Sequence, residues 1–241
     1  MNPVVMVAYN NLELTKKAVE SVFSQDIPVN LYFVDNGSSD GTWEWVLTQD
    51  IFYTRRYGRN ESPVKIANFM AQLIFKDYDY MLGVPNDVVL PRNCYRELLR
   101  YPRAFVCASD VGQNMDAVNQ SENVESQAVN ECTPFAVMLI RKWGYDALVA
   151  KDGYFFDRNF VHYASDCDMA LRMAACGIRG IQTNVPFWHF GSATWRLAPE
   201  EERKAMLEQA DKDRSYFENK WKFRCDSLEY GQRPADINFK G

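Results

Sequence analysis

The chain has 241 residues, with 27 Lys and Arg against 32 Asp and Glu, 47% hydrophobic residues and 24% charged ones. This balance excludes a disordered chain, and the formal net charge of −5 excludes a generally basic protein that coats nucleic acid. No stretch approaches the ~18 apolar residues that span a bilayer, and residues 1–9 lack the basic flank and apolar length of a signal peptide, so a cytoplasmic protein is expected.

Residues 4–9 predict a strand, after which Leu14, Ala18, Val19, Val22 and Phe23 recur at helical spacing up to Ser24. Residues 31–34 predict a second strand running into the turn-rich 35–41, and residues 43–47 begin another helix. A short strand over 52–55 follows. Ile66, Phe69, Met70, Leu73 and Ile74 then match i, i+3, i+4, i+7 and i+8, an amphipathic helix, and residues 80–84 predict a fourth strand. Strands alternating with helices of this length imply an α/β domain with a parallel sheet, whose ligands collect at the carboxyl ends of the strands.

The second half is less regular. Residues 105–109 and 135–140 predict buried strands, whereas 110–131 between them is polar and long, which suggests a mobile lid or a surface insertion. Residues 165–176 predict a helix closed by Gly177, followed by two strand-like runs at 178–183 and 185–190. From Pro199, Glu200, Glu201 and Glu202 open a helix at its positive end, with Met206, Ala210 and Phe217 as its buried stripe. Cys94, Cys107, Cys132, Cys167, Cys176 and Cys225 contain no Cys-x-x-Cys, which argues for reduced thiols rather than a zinc ribbon or redox pair.

Four polar loops fall where such a sheet would hold a ligand. Asp35 and Asn36 leave a strand end together, in a loop whose Gly37 and Gly41 permit a tight backbone, and can hydrogen-bond a ribose or pyrimidine edge; turn chemistry alone would also use these residues. Asn86 and Asp87 form an acidic turn between apolar strands, suited to a hard divalent cation. Ser165 with Asp168 reads as a capping box that leaves Asp166 in the first turn of its helix. His189 lies among aromatics in Phe187-Trp188-His189-Phe190-Gly191-Ser192, as a packed ring or as a ligand.

In order and spacing, the Val34-Asp35-Asn36-Gly37-Ser38 segment with Asp40-Gly41-Thr42, the strand ending in Asn86-Asp87, the Asp166-x-Asp168-x-x-x-Arg172 run and His189-x-Gly191-Ser192 resemble the family 2 glycosyltransferases. The first strand, ending in Ala8-Tyr9-Asn10, and the Asn60 to Asn68 stretch extend the resemblance over about residues 3 to 195. It implies a GT-A (Rossmann-like) fold: a mostly parallel twisted sheet with helices on both faces, here followed by a C-terminal helical extension. The expected division is one GT-A domain over 1–241, with a nucleotide-sugar-binding half (1–91), an acceptor-binding half (92–198) and the extension (199–241).

Carried over by residue, the resemblance implies that Ala8, Tyr9, Asp35 and Asn36 hold the nucleoside, with Asn68, Asn86 and Asp87 completing the donor site. Asp87 and His189 would ligate a divalent cation, Mn²⁺ or Mg²⁺. Asp166 takes the place of the catalytic base, supported by Asp168 and Arg172. Pro85 stands where the family's metal motif has its first Asp, Ser165 where a Glu usually precedes the base, and Asn36 where many members have a second Asp. The implied reaction is inverting transfer from a nucleoside diphosphate sugar, of UDP or dTDP type, to an acceptor hydroxyl, with a glycan as the first expectation. A bacterial cytoplasm or that of a phage-infected host cell fits this resemblance.

Arg92, Arg96, Arg100 and Arg103 recur at i, i+4, i+8 and i+11. Such a stripe, with Arg55, Arg56 and Arg59 as a second cluster, could track phosphates, which makes hydroxymethylated pyrimidines in phage-type DNA an alternative acceptor; a solvated helix face is the plainer reading. Two other classes compete. A nucleotidyltransferase would need a Gly-rich basic loop after the first strand, and Tyr9-Asn10-Asn11-Leu12-Glu13 is not one. A non-catalytic sugar-nucleotide-binding module would bind donor without turnover.

Overall fold

The computed structural model describes residues 1–112, 124–132, 136–191 and 193–224. Strands β1 (Asn2–Ala8), β2 (Val29–Asp35), β3 (Tyr53–Arg56) and β4 (Tyr80–Pro85) run parallel in the order β3-β2-β1-β4. Their register sets Ala8 beside Asp35, Asp35 beside Arg56 and Val7 beside Pro85, so the carboxyl ends finish at one edge. The sheet continues through β8 (Met138–Arg141), β6 (Phe105–Asp110), β9 (Gly180–His189) and β5 (Val88–Val89), with β7 (Ala128–Cys132) against β9. β8 is antiparallel to both β4 and β6, while β6 and β9 are parallel.

The first strand reads as a continuous apolar run because the sheet is covered on both faces. Val4, Met6 and Ala8 point to one side, where Ala18, Val19 and Val22 of α1 (Leu12–Phe23) and Tyr95 and Leu98 of α4 (Cys94–Leu99) cover them. Val5 points to the other, with Ile66 and Met70 of α3 (Pro63–Ile74) and Met169 and Met173 of α6 (Ser165–Ala175). The alternation is the two-residue period of a pleated strand. α3 begins as its sequence demands, with Ser62 as N-cap accepting the Lys65 N–H and Pro63 in the first turn. α6 ends in a left-handed Gly177 at φ 68°, where the Ile178 N–H returns to the Met173 carbonyl. Between β2 and β3 lies the short α2 (Thr42–Val46); α5 (Lys142–Asp152) follows β8, and α7 (Ala193–Leu197) and α8 (Glu200–Trp221) follow β9.

Several expectations need correction. The two strand-like runs near the C-terminus are one strand, β9, because a bulge absorbs the polar Thr183–Asn184 step: Gln182 pairs with Cys107, yet Pro186 pairs with Ser109. The arginine stripe does not lie on one long helix. α4 stops at Leu99, three residues before Pro102, whose ring disfavours helix in the residue preceding it. The 110–131 segment is not loose throughout. Asp110 ends β6, Asn93 exchanges two hydrogen bonds with the Val124 backbone, Ser126 bonds Glu97, and β7 is strand-paired; residues 113–123 and Phe135 lie outside the described residues, as do Ser192 and Cys225. Cys94, Cys107, Cys167 and Cys176 are thiols, as expected. Among the described residues no helix is long and apolar enough to cross a membrane.

Candidate active site at the carboxyl edge of the sheet

The chain leaves β1 through Asn10 and Asn11, both left-handed at φ 55° and 65°. Asparagine tolerates this conformation better than most side chains, and here the turn is over-determined. The Asn10 N–H donates to Ser38 Oγ at 2.8 Å, the Ser39 N–H to Asn10 Oδ1 at 2.9 Å and the Leu12 N–H to Asp40 Oδ2 at 2.9 Å. Gly37, at φ 85°, could not be replaced without collision, since a Cβ there would lie 2.6 Å from the Arg59 carbonyl carbon. The two loops after β1 and β2 thus form one rigid wall.

Asp35 is fully buried at the end of β2. Its Oδ1 accepts the Ser38 N–H at 3.2 Å, and its Oδ2 faces Arg56 Nε at 3.2 Å without a hydrogen bond, leaving acceptor capacity at the strand end. The three asparagines expected in the donor site are otherwise engaged. Asn36 donates to Asn60 Oδ1 and the Glu61 carbonyl and accepts the Glu61 N–H. Asn68 exchanges both of its bonds with the Phe156 backbone, and Asn86 donates to the Asn10 carbonyl and Thr15 Oγ1. These amides brace the loops of the site rather than offer themselves to a ligand. Tyr9 leans the other way, its hydroxyl donating to Glu202 in the first turn of α8 at 3.4 Å; burial and the nearby Glu202 carboxylate raise its pKa. Tyr9 and Asn11 there line a small crevice with Thr194, Leu197 and Glu202.

Asp87 and His189 do come together. Val88 pairs with His189 across β5 and β9, which brings Asp87 Oδ2 to 3.5 Å from His189 Nε2. The opposite ring nitrogen, Nδ1, lies 2.9 Å from Asp110 Oδ2 at the end of β6. Burial would lower the His189 pKa, but the two flanking carboxylates outweigh it and raise it to about 8. Asp110 carried no signal beyond its charge, because its nearness to His189 arises only from the parallel β6–β9 register. Two donors each about 2.1 Å from one small divalent ion lie roughly 3 Å apart, so Asp87 Oδ2 and His189 Nε2 fit such an ion after a slight closing. Among the described residues, no cluster of three or more His, Cys, Asp or Glu side chains converges as a metal site.

Asp166 is exposed in the first turn of α6, its Oδ1 accepting the Cys167 N–H at 2.9 Å. The capping box expected of Ser165 and Asp168 does not form: the N-cap is Ala164, left-handed at φ 57°, and Ser165 Oγ donates weakly to the His162 carbonyl. Asp168 is instead fully buried, 2.6 Å from Lys220 Nζ, 2.9 Å from Trp221 Nε1 and 3.7 Å from Arg172. Arg172 braces the preceding loop, pairing with Asp152 at 2.6 Å and donating to the carbonyls of Tyr154 and Phe155. One further support escaped sequence reading. Asp213 on α8 accepts the N–H groups of Val161, His162 and Tyr163 at 3.1, 2.8 and 2.8 Å, fixing the turn before Asp166.

Of the arginine stripe, Arg96 pairs with Asp26 at 2.6 Å and Arg100 with Glu97 at 2.8 Å. In the second cluster, Arg56 is held by Asp35 and Arg59 by Glu61. A groove of about 400 Å³ between α3 and α5, lined by Phe69, Leu73, Lys76 and Tyr145, lies toward the start of β4, where the Lys142 N–H bonds the Asp79 carbonyl, and contains none of the residues above.

The sequence profile described as glycosyl transferase family 2 matches residues 4–149, from β1 into α5. The chain belongs to glycosyltransferase family 2. The chain matches no curated protein, but many solved structures share its fold. TarS of S. aureus superposes with a TM-score of 0.57 at 16% identity, over 90% of this chain and 44% of TarS. The mannosyltransferase PcManGT from Pyrobaculum calidifontis, in complex with GDP-Man and Mn²⁺, gives 0.54 at 15% identity over 80% of this chain and 59% of its own. GalNAc-T7 with UDP, GalNAc and Mn²⁺ gives 0.60 at 11% identity over 78% and 43%. At these identities the likeness establishes the GT-A fold, and the chain spans less than half of TarS.

Proposed function

We propose that this glycosyltransferase moves a sugar, with inversion, from a nucleoside diphosphate sugar of UDP or dTDP type to a hydroxyl of a glycan acceptor. The observation that carries the reading is the pairing of Asp87 with His189 at the same sheet edge where Asp35 keeps spare acceptor capacity. Asp35, at the end of β2, takes a hydrogen bond from the nucleoside, which lies against Tyr9; Ala8, fully buried beneath α1 and α4, backs that wall from within. Asn36, Asn68 and Asn86 keep those walls in place through the bonds they already make.

Asp87 Oδ2 and His189 Nε2 are the groups that would hold Mn²⁺ or Mg²⁺. When bound, such a cation offsets the charge that grows on the departing diphosphate. Asp166 accepts the acceptor's hydroxyl proton as the new bond forms to the anomeric carbon and the bond to the diphosphate oxygen breaks on the opposite face. Asp168 and Arg172 are supports, since both are buried in contacts with α8 and the loop before α6. The solvated reading of the arginines is favoured over DNA tracking, because two of the four side chains are spent on internal carboxylates.

Asp166→Asn tests the reading. Turnover, followed by mass across a panel of sugar nucleotides and glycan acceptors with Mn²⁺, should fall by roughly 10² to 10⁴-fold, with donor affinity by calorimetry unchanged. Full turnover in this variant would contradict Asp166 as base. Donor binding without transfer in the wild-type protein would favour the non-catalytic module.

A further inference from the structure

We propose that Asp110 is a positioning residue that holds the His189 ring so that Nε2 presents its lone pair toward Asp87. This rests on the reading that Asp87 and His189 hold a divalent cation. A ring nitrogen bonded to a carboxylate carries the proton, which leaves the other nitrogen as the donor atom. Asp110 Oδ2 lies 2.9 Å from Nδ1, so the proton belongs on Nδ1 and the lone pair on Nε2, the nitrogen 3.5 Å from Asp87.

The carboxylate is itself fixed. Its Oδ1 accepts the Gly112 N–H at 2.7 Å, the Val111 N–H donates to the Phe187 carbonyl at 3.0 Å, and the His189 N–H donates to the Gly112 carbonyl at 3.1 Å. Residues 110–112 therefore grip His189 by both backbone and side chain, and the β6–β9 register sets Asp110 beside Phe187. Pro85 has no side-chain donor, so the cluster's second carboxylate comes from β6, behind the histidine rather than beside Asp87.

Two measurements test this. The chain has two histidines, so nitrogen NMR of the metal-free protein at about pH 9.5, where the imidazole is neutral, can read the His189 tautomer directly, with His189→Ala giving the assignment. The wild type should show Nδ1–H, and Asp110→Ala should shift the population toward Nε2–H. A wild-type ring protonated on Nε2 overturns the proposal whatever the variants do. In the second, loss of the free Mn²⁺ electron-paramagnetic-resonance signal is titrated with UDP present. Asp110→Ala should bind Mn²⁺ about 10 to 100-fold more weakly, and Asp110→Asn, whose amide oxygen still accepts from Nδ1–H, should recover much of the loss. If His189→Ala loses Mn²⁺ and Asp110→Ala does not, the positioning role falls and the metal pair stands. If His189→Ala binds Mn²⁺ as the wild type does, the metal pair itself falls.

Discussion

Asn68 illustrates what individual side chains do around this site. Its amide donates to the Phe156 carbonyl and accepts the Phe156 N–H, both at 2.9 Å, so one side chain stands in for a strand neighbour to the loop beyond α5. Asn68→Ala leaves a backbone N–H and carbonyl without partners, and urea unfolding should show a loss of roughly 1 to 3 kcal/mol, while the affinity for UDP changes little. A loss of UDP binding with stability intact would return Asn68 to direct ligand contact. By residue type Asn36, Asn68 and Asn86 are candidates for ligand contact, whereas in the structure each spends its amide on loops of the chain itself. An amide's type is visible in a sequence, whereas the groups that satisfy it come from residues as distant as Phe156 and Thr15. Asp110 is the converse case, an acid whose partner is set by a strand register 79 residues away in the chain.

Among the elements, α8 is the strap of the loop that precedes Asp166. Asp213 fastens the turn at Val161–Tyr163, and Lys220 sits 2.7 Å from Asp157 and 2.6 Å from Asp168. Burial pushes the Asp157 carboxyl up, but Lys220, the Asn159 N–H and the Tyr216 hydroxyl outweigh it and hold it below the usual carboxylate range. A depressed carboxyl contributes stability above its unfolded pKa, about 3.9, and loses it as the pH falls through the folded value. Burial raises Asp168 instead, so that residue contributes in the opposite sense, losing its share as the pH rises. Acid unfolding of the wild type should therefore steepen below about pH 4, and Asp157→Asn should flatten that limb in a circular-dichroism titration; an unchanged limb would show that the strap is not tied there. The periodicity of α3, the Gly177 stop of α6 and the acidic start of α8 are legible in the sequence because each depends on near neighbours. The bulge in β9 is not, since it depends on the bonds that Ser109 and Thr183 make across strands. The short α4 was legible in Pro102, a signal that competes with the arginine spacing and wins.

Over the whole molecule, a parallel half-sheet brings the ends of β1, β2 and β4 to one edge, and the turn before β5 and the ends of β6 and β9 add Asp87, Asp110 and His189. The motifs at Asp35-Asn36, Asn86-Asp87 and His189 make this edge legible, because each falls at a strand end, whereas the Asp166 run opens helix α6. The acceptor side is not legible in the sequence, because recognition of an acceptor depends on surface shape that no short motif encodes. With a net charge of −5 and much of its exposed arginine paired, the protein should keep its turnover within about two-fold between roughly 50 and 200 mM salt, whereas a polyanionic acceptor would impose a steep fall. The most direct test of the account is a crystal structure with a UDP-sugar and Mn²⁺, read by anomalous scattering at the manganese edge. The expected result is a peak within about 2.3 Å of both Asp87 Oδ2 and His189 Nε2, with the nucleoside against Tyr9 and Asp35. A nucleotide bound in the groove between α3 and α5, or a metal peak away from both residues, would contradict it.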